Sequence, residues 1–144
     1  MEITQLRASV TDQDLNELMR RHLPPGVPVQ DIKIGIVPQG IVIQGVYPAF
    51  VKVAFETLWE AAIQQGRLTL KLSQLKAMGV GGNMFRGAIL KQIAEGVQGK
   101  DWVALVDDTL ILDLDKLLQR SGMAAETNLT RLTCETGRMV WEAG

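Results

Sequence analysis

The chain has one cysteine, one histidine, one tyrosine and no surplus of either charge, and each scarcity removes a class of function. A lone Cys134 excludes an internal disulfide and fits a reducing compartment. With 15 basic and 16 acidic side chains among 144 residues, the net charge is −1. Binding a nucleic-acid backbone calls for a basic face, so nucleic acid is not an expected partner. No apolar run is long enough to span a bilayer. The residues from Met1 to Gln5 lack the basic and apolar regions of a secretory signal, so the expected location is cytoplasmic. His22 stands alone, and a catalytic triad or histidine metal site needs partners that no spacing here supplies. Neither an enzyme nor a cofactor is expected. Length, a 47% apolar share and the absence of a linker point to one domain over residues 1–144.

What the chain does have is a repeated hairpin grammar. Ile32 to Ile36 leads through Pro38-Gln39-Gly40 into Ile41-Val42-Ile43, and Trp102 to Val106 leads through Asp107-Asp108 into Leu110-Ile111-Leu112. Leu132-Thr133-Cys134 leads through Glu135-Thr136-Gly137 into Met139-Val140-Trp141. Alternating apolar runs around two or three turn formers are the local signature of antiparallel pairing. Residues 48–65 fit two periodicities. As a helix they carry Phe50, Val53, Ala54, Thr57, Leu58 and Ala61 on one stripe; as a strand they carry Val51, Val53, Phe55, Thr57 and Trp59 on one face. The strand is favoured, because Leu68, Leu70 and Leu72 need a partner and Gln64-Gln65-Gly66 makes a short loop. The alternation slips after Leu72, which places a bulge near Ser73-Gln74.

Two helices complete the pattern. Thr11 caps the first, with Asp14 in a box-like position and Leu15, Leu18, Met19 and His22 on one stripe. The second runs from about Met84 to Val97 and places Phe85, Ile89 and Ile93 on one face. The Gly79-Val80-Gly81-Gly82 break before it has two readings. One is a hinge. The other is an anion site in which Gly81 and Gly82 present backbone N–H groups and Arg86 adds a charge. The loop lacks the Gly-Lys-Ser/Thr ending of a P-loop. The acidic pair Asp107-Asp108 reads as a turn, and Cys134 as a sheet residue.

The element order from Val29 onward, with Gln65-Gly66-Arg67-Leu68-Thr69-Leu70, the glycine-rich break and helix, Thr109-Leu110-Ile111-Leu112-Asp113-Leu114 and Gly137-Arg138-Met139-Val140-Trp141, resembles small bacterial proteins of the tubular lipid-binding (BPI-like) superfamily. The resemblance implies a curved antiparallel sheet wrapped on a helix, with an apolar groove for lipid. Such bacterial proteins are usually exported, and without a visible signal the implied role here is lipid binding in the cytoplasm or by peripheral contact with a membrane. The expected fold is therefore α+β: a highly curved antiparallel sheet of successive hairpins, packed on one main helix, with an N-terminal helix. The expected groove is lined by Val51, Val53, Phe55, Trp59, Leu68, Leu70, Leu72, Phe85, Ile89 and Ile93. The alternative function is a structural or protein-interaction module, self-associating through a sheet edge, in which the same residues fill an ordinary core.

Overall fold

Alternation decides how this chain pairs, and the computed structural model describes the outcome for residues 6–22, 29–48, 52–77, 82–116 and 129–143. The elements are β1 (Leu6–Thr11), α1 (Asp12–His22), β2 (Gln30–Val37), β3 (Gly40–Pro48), β4 (Lys52–Gln64), β5 (Arg67–Ala77), α2 (Gly82–Val97), β6 (Val103–Val106), β7 (Thr109–Leu112), β8 (Leu129–Glu135) and β9 (Arg138–Ala143). Residues 52–64 are strand, and β4 pairs antiparallel with β5 from Phe55↔Ala77 to Gln64↔Arg67. The connecting Gln65 and Gly66 have φ of +54° and +75°, the double left-handed turn that matches strand twist. The expected bulge is there too: Leu58 faces Gln74 and Trp59 faces Leu72, leaving Ser73 as the extra residue.

The expectation of one sheet packed on one main helix is corrected. Nine strands form two antiparallel sheets among the described residues, one of six strands in the order β2-β3-β4-β5-β7-β6 and one of three in the order β1-β9-β8. The terminal hairpin β8-β9 does not extend the main sheet. Its inner strand β9 pairs instead with β1, Leu6 opposite Ala143 and Thr11 opposite Arg138. A strand of six residues before a helix cap carries too little alternation to announce itself, and its partner lies at the other end of the sequence.

The two sheets close on a shared core. Ile34, Ile36, Ile41, Trp59 and Leu72 from the six-stranded sheet meet Met139 from β9, with Leu132, Cys134 and Trp141 packed alongside. The helices cover what remains of that inner face, α1 through Leu15 and Met19, and α2 through Leu90 and Ile93. A buried relay runs through it: Trp59 Nε1–H donates to Thr57 Oγ1 at 3.0 Å, and the Thr57 hydroxyl donates to the Ile43 carbonyl at 3.0 Å. Both polar side chains of the relay are thus satisfied, whereas the buried Trp141 Nε1–H beside them has no hydrogen-bond partner among the described residues.

Local chemistry fixes the entry of α1. Thr11 and Asp14 form a reciprocal cap, Thr11 N–H donating to Asp14 Oδ2 at 3.0 Å and Asp14 N–H to Thr11 Oγ1 at 3.2 Å. One turn further on, the helix seals the open edge of β2. Asn16 Nδ2 donates to the Ile34 carbonyl, and Asn16 Oδ1 accepts from the Ile34 N–H, both at 2.8 Å. Ile36 N–H donates to Asp12 Oδ1 at 2.7 Å, while Gly137 N–H donates to the Ile36 carbonyl at 2.9 Å. The side-chain amide thus stands where a neighbouring strand would, and a corner of three elements locks the two sheets together.

Candidate functional site

The residues expected to line a groove divide among three packed clusters. Val53, Phe55 and Phe85 form one, with Tyr47, Leu75, Ala77 and Ile89 around them. Phe85 meets Tyr47 edge-on, ring centroids 5.8 Å apart at 87°, and Phe55 at 5.4 Å and 51°. These are favourable aromatic geometries. Gly45, opposite Phe55 in the β3–β4 register, leaves room for the Phe55 ring, whose Cζ lies 2.8 Å from where a Cβ would stand. Trp59 and Leu72 belong to the shared core, with Leu70 and Ile93 at its margin. Leu68 sits in a third cluster with Leu114, Leu129 and Ala143. Val53 and Leu72 are each 1% exposed and Trp59 2%. Val51 and Gly81 lie outside the described residues.

The residues offered for an anion site are also placed, in part. Gly82 opens α2. Arg86, one turn on, holds Asp108 at 2.7 Å through Nη2, and the same nitrogen donates to the Leu72 carbonyl at 3.4 Å. The Asp108 carbonyl in turn accepts from Leu72 N–H at 2.9 Å. Asp107-Asp108 is the turn between β6 and β7, with Asp107 at φ +57°. Arg86 therefore ties α2 to that turn, and its charge is already matched. Arg86→Ala is expected to lower stability by about 1–3 kcal/mol, the loss of a charge-assisted bond at a half-buried position, measured by urea unfolding. The partner residue Asp108 was not foreseen, because nothing local connects it to a helix 22 residues earlier.

Concavity lies elsewhere, on the outer face of the six-stranded sheet. A shallow cleft of about 530 Å³ is bordered by Gln44, Val46, Ala54, Glu56 and Lys76, and it reaches Phe55 and Ala77, whose side chains belong to the inner cluster. A second, of about 230 Å³, is bordered by Val42, Glu56, Leu58, Gln74 and Lys76. Glu56 and Lys76, register partners on β4 and β5, stand between the two. Gln44 Nε2 donates to Glu56 Oε1 at 2.8 Å across β3 and β4. Val42, Val46 and Leu58 are half-buried on this face, whereas the alternate residues of the same strands point into the core. Glu56, Leu58 and Lys76 were legible in the sequence as the polar side of the long hairpin, and pairing β4 with β5 on paper would have grouped them. A third cleft, about 420 Å³, lies between α1 and β2 beside Met19, Val29 and Ile32.

The remaining reactive groups are quiet. Burial pushes the Cys134 thiol above its ordinary pKa, the opposite of what a nucleophilic thiolate needs. Among the described residues no three of His, Cys, Asp and Glu gather as metal ligands. The His22 side chain lies outside the described residues. No described helix is long and apolar enough to cross a membrane. The outer face mixes half-buried aliphatic side chains, Val42, Val46 and Leu58, with the charged Glu56 and Lys76. Comparison of the chain with family models, curated proteins and solved structures finds no match to any of them.

Proposed function

We propose that this protein is a non-catalytic interaction module that acts in the cytoplasm and engages a partner protein through the outer face of its six-stranded sheet. One observation carries the reading. The apolar residues of the inner face are consumed by three tight clusters, while the clefts around Glu56 and Lys76 open on the opposite face. The lone thiol, half-buried and held protonated, fits a reducing compartment.

A second reading keeps the lipid role that the tubular superfamily implies. It is favoured by α2, whose Ile89, Leu90 and Ile93 are only half-buried over the sheet. An acyl chain sliding beneath them would gain about 0.8 kcal/mol per buried methylene. Ile89→Trp separates the two. In a filled core the larger ring overpacks and lowers stability by roughly 1–3 kcal/mol, and a fluorescent fatty acid does not bind the parent protein. In an open groove the ring occupies free space, stability holds, and the parent's fatty-acid affinity falls in the variant. The first pattern is the expected one, and the second overturns the interaction reading.

A further inference from the structure

We infer that the partner on this outer face is a second copy of the chain, related by a two-fold axis that runs along the strands between β4 and β5. The inference rests on the interaction reading above and names its occupant from charge.

On the outer face β4 presents Glu56 and Glu60, with Lys52 at its start beyond the stretch paired with β5, and β5 presents Arg67, Lys71 and Lys76. The register pairs Glu56 with Lys76, Leu58 with Gln74, Glu60 with Lys71 and Gln64 with Arg67. Lys71 and Lys76 are five residues apart, which in a regular strand would put them on opposite faces. The extra residue at Ser73 restores the phase, so both lysines share a face and match the four-residue step from Glu56 to Glu60. The bulge therefore sets an acidic row beside a basic row of the same spacing. Glu60, Lys71 and Lys76 form no ion pair of 4.0 Å or less with another described residue.

Two such rows make a self-complementary surface. A two-fold rotation about an axis parallel to the strands turns the face over and exchanges left for right while preserving height. Each β4 residue then lands on the place of its own register partner in the second copy. Glu60 meets Lys71 of the second copy, Glu56 meets Lys76 of the second copy, and symmetry makes each contact twice. Leu58 lies at the centre, over Gln74. The charged pairs sit about 7 Å to either side of it, two residues along β4 in each direction, with the bulge absorbing the third residue between Lys71 and Gln74 on β5. Twisted sheets stack at about −30°, so at that radius the crossing displaces the pairs by only a few ångström, within reach of a lysine side chain. Opposite charges would set the register of this association, and like charges would oppose any other.

The test is charge exchange between copies, followed by analytical ultracentrifugation at low and high salt. The parent protein is expected to dimerise, more weakly as salt rises. Glu60→Lys and Lys71→Glu each place like charges together at two symmetric points and should weaken association by roughly tenfold or more. Mixing the two variants one to one should restore it, because every facing pair in the mixed dimer is again opposite in sign. Mixing leaves the neighbours within each chain mismatched, so recovery reads contact between copies alone. Both sites are exposed, and unfolding curves of each variant check that the fold is intact. A parent that stays monomeric at high micromolar concentration and low salt overturns the inference, as does a mixture that associates no better than its components. The failure would be distinct from that of the interaction reading, which falls only if the parent binds fatty acid in its interior.

Discussion

Gly40→Ala is expected to cost about 4 kcal/mol or more, at the extreme end of single substitutions and most of the stability of a domain at the low end of the usual range. Gly40 begins β3 at φ +153°, and a Cβ placed there would lie 2.0 Å from the Trp59 carbonyl oxygen and 2.8 Å from the Ala61 nitrogen. Both obstacles are backbone, so no rotamer change relieves them. The only escape is to part β3 from β4 at the point where Ile41 pairs with Trp59, at the edge of the shared core. The loss should appear in urea as a lowered midpoint with an unchanged slope if the native pairing survives elsewhere. Gly35 is the control. It also lies on an inter-strand pair, but a Cβ there meets nothing within 4 Å, and Gly35→Ala should leave stability within about 1 kcal/mol of the parent.

Asn16→Leu is the second large effect expected. Leucine keeps the branching and heavy-atom count of asparagine and is the better helix former, so propensity alone would favour the variant. What disappears is the amide that serves both the N–H and the carbonyl of Ile34. A buried backbone group without a partner costs about 1–3 kcal/mol, and two are created, so a loss of roughly 2–6 kcal/mol should follow. Native-state hydrogen exchange supplies the local readout, with the Ile34 amide losing protection far beyond the rest of β2. Asn16→Asp keeps the acceptor and removes the donor, and it adds a negative charge near Asp12. It should protect the Ile34 amide while still lowering stability. Equal protection at Ile34 in all three proteins would show that the clamp does not hold the edge.

These two residues mark the boundary of what was legible in the sequence. The hairpins were legible because alternation and turn formers lie next to each other, and so was the strand character of residues 52–64, forced by the need of Leu68, Leu70 and Leu72 for a partner. The slip after Leu72 and the Thr11–Asp14 cap are likewise local events with local signatures. The division into two sheets was not legible. It depends on β1 meeting β9, and on Asp12, Ile36 and Gly137 meeting at one corner, pairings that leave no mark within a window of neighbouring residues. The same limit applies to the site. Periodicity correctly placed Val53, Phe55 and Trp59 on one face but could not separate a lined groove from a filled core, since both want the same residues. Arg86 was read as a free charge because Asp108 is its neighbour only in the folded chain.

The pairing of β1 with β9 also constrains how the protein comes into being. During synthesis β1 leaves the ribosome well before its partner β9, so the three-stranded sheet has to wait for all the residues between them. Until then Ile34, Ile36 and Trp59 lack Met139 over them, and α1 has Asn16 and Asp12 with which to screen the β2 edge but no Gly137 to complete the corner. The nascent chain therefore carries an uncovered aliphatic surface from the emergence of β4 until β9 follows. Translation rate and chaperone supply are the quantities that would set its yield, and a ribosome stalled before Arg138 should present a chain that chaperones still hold.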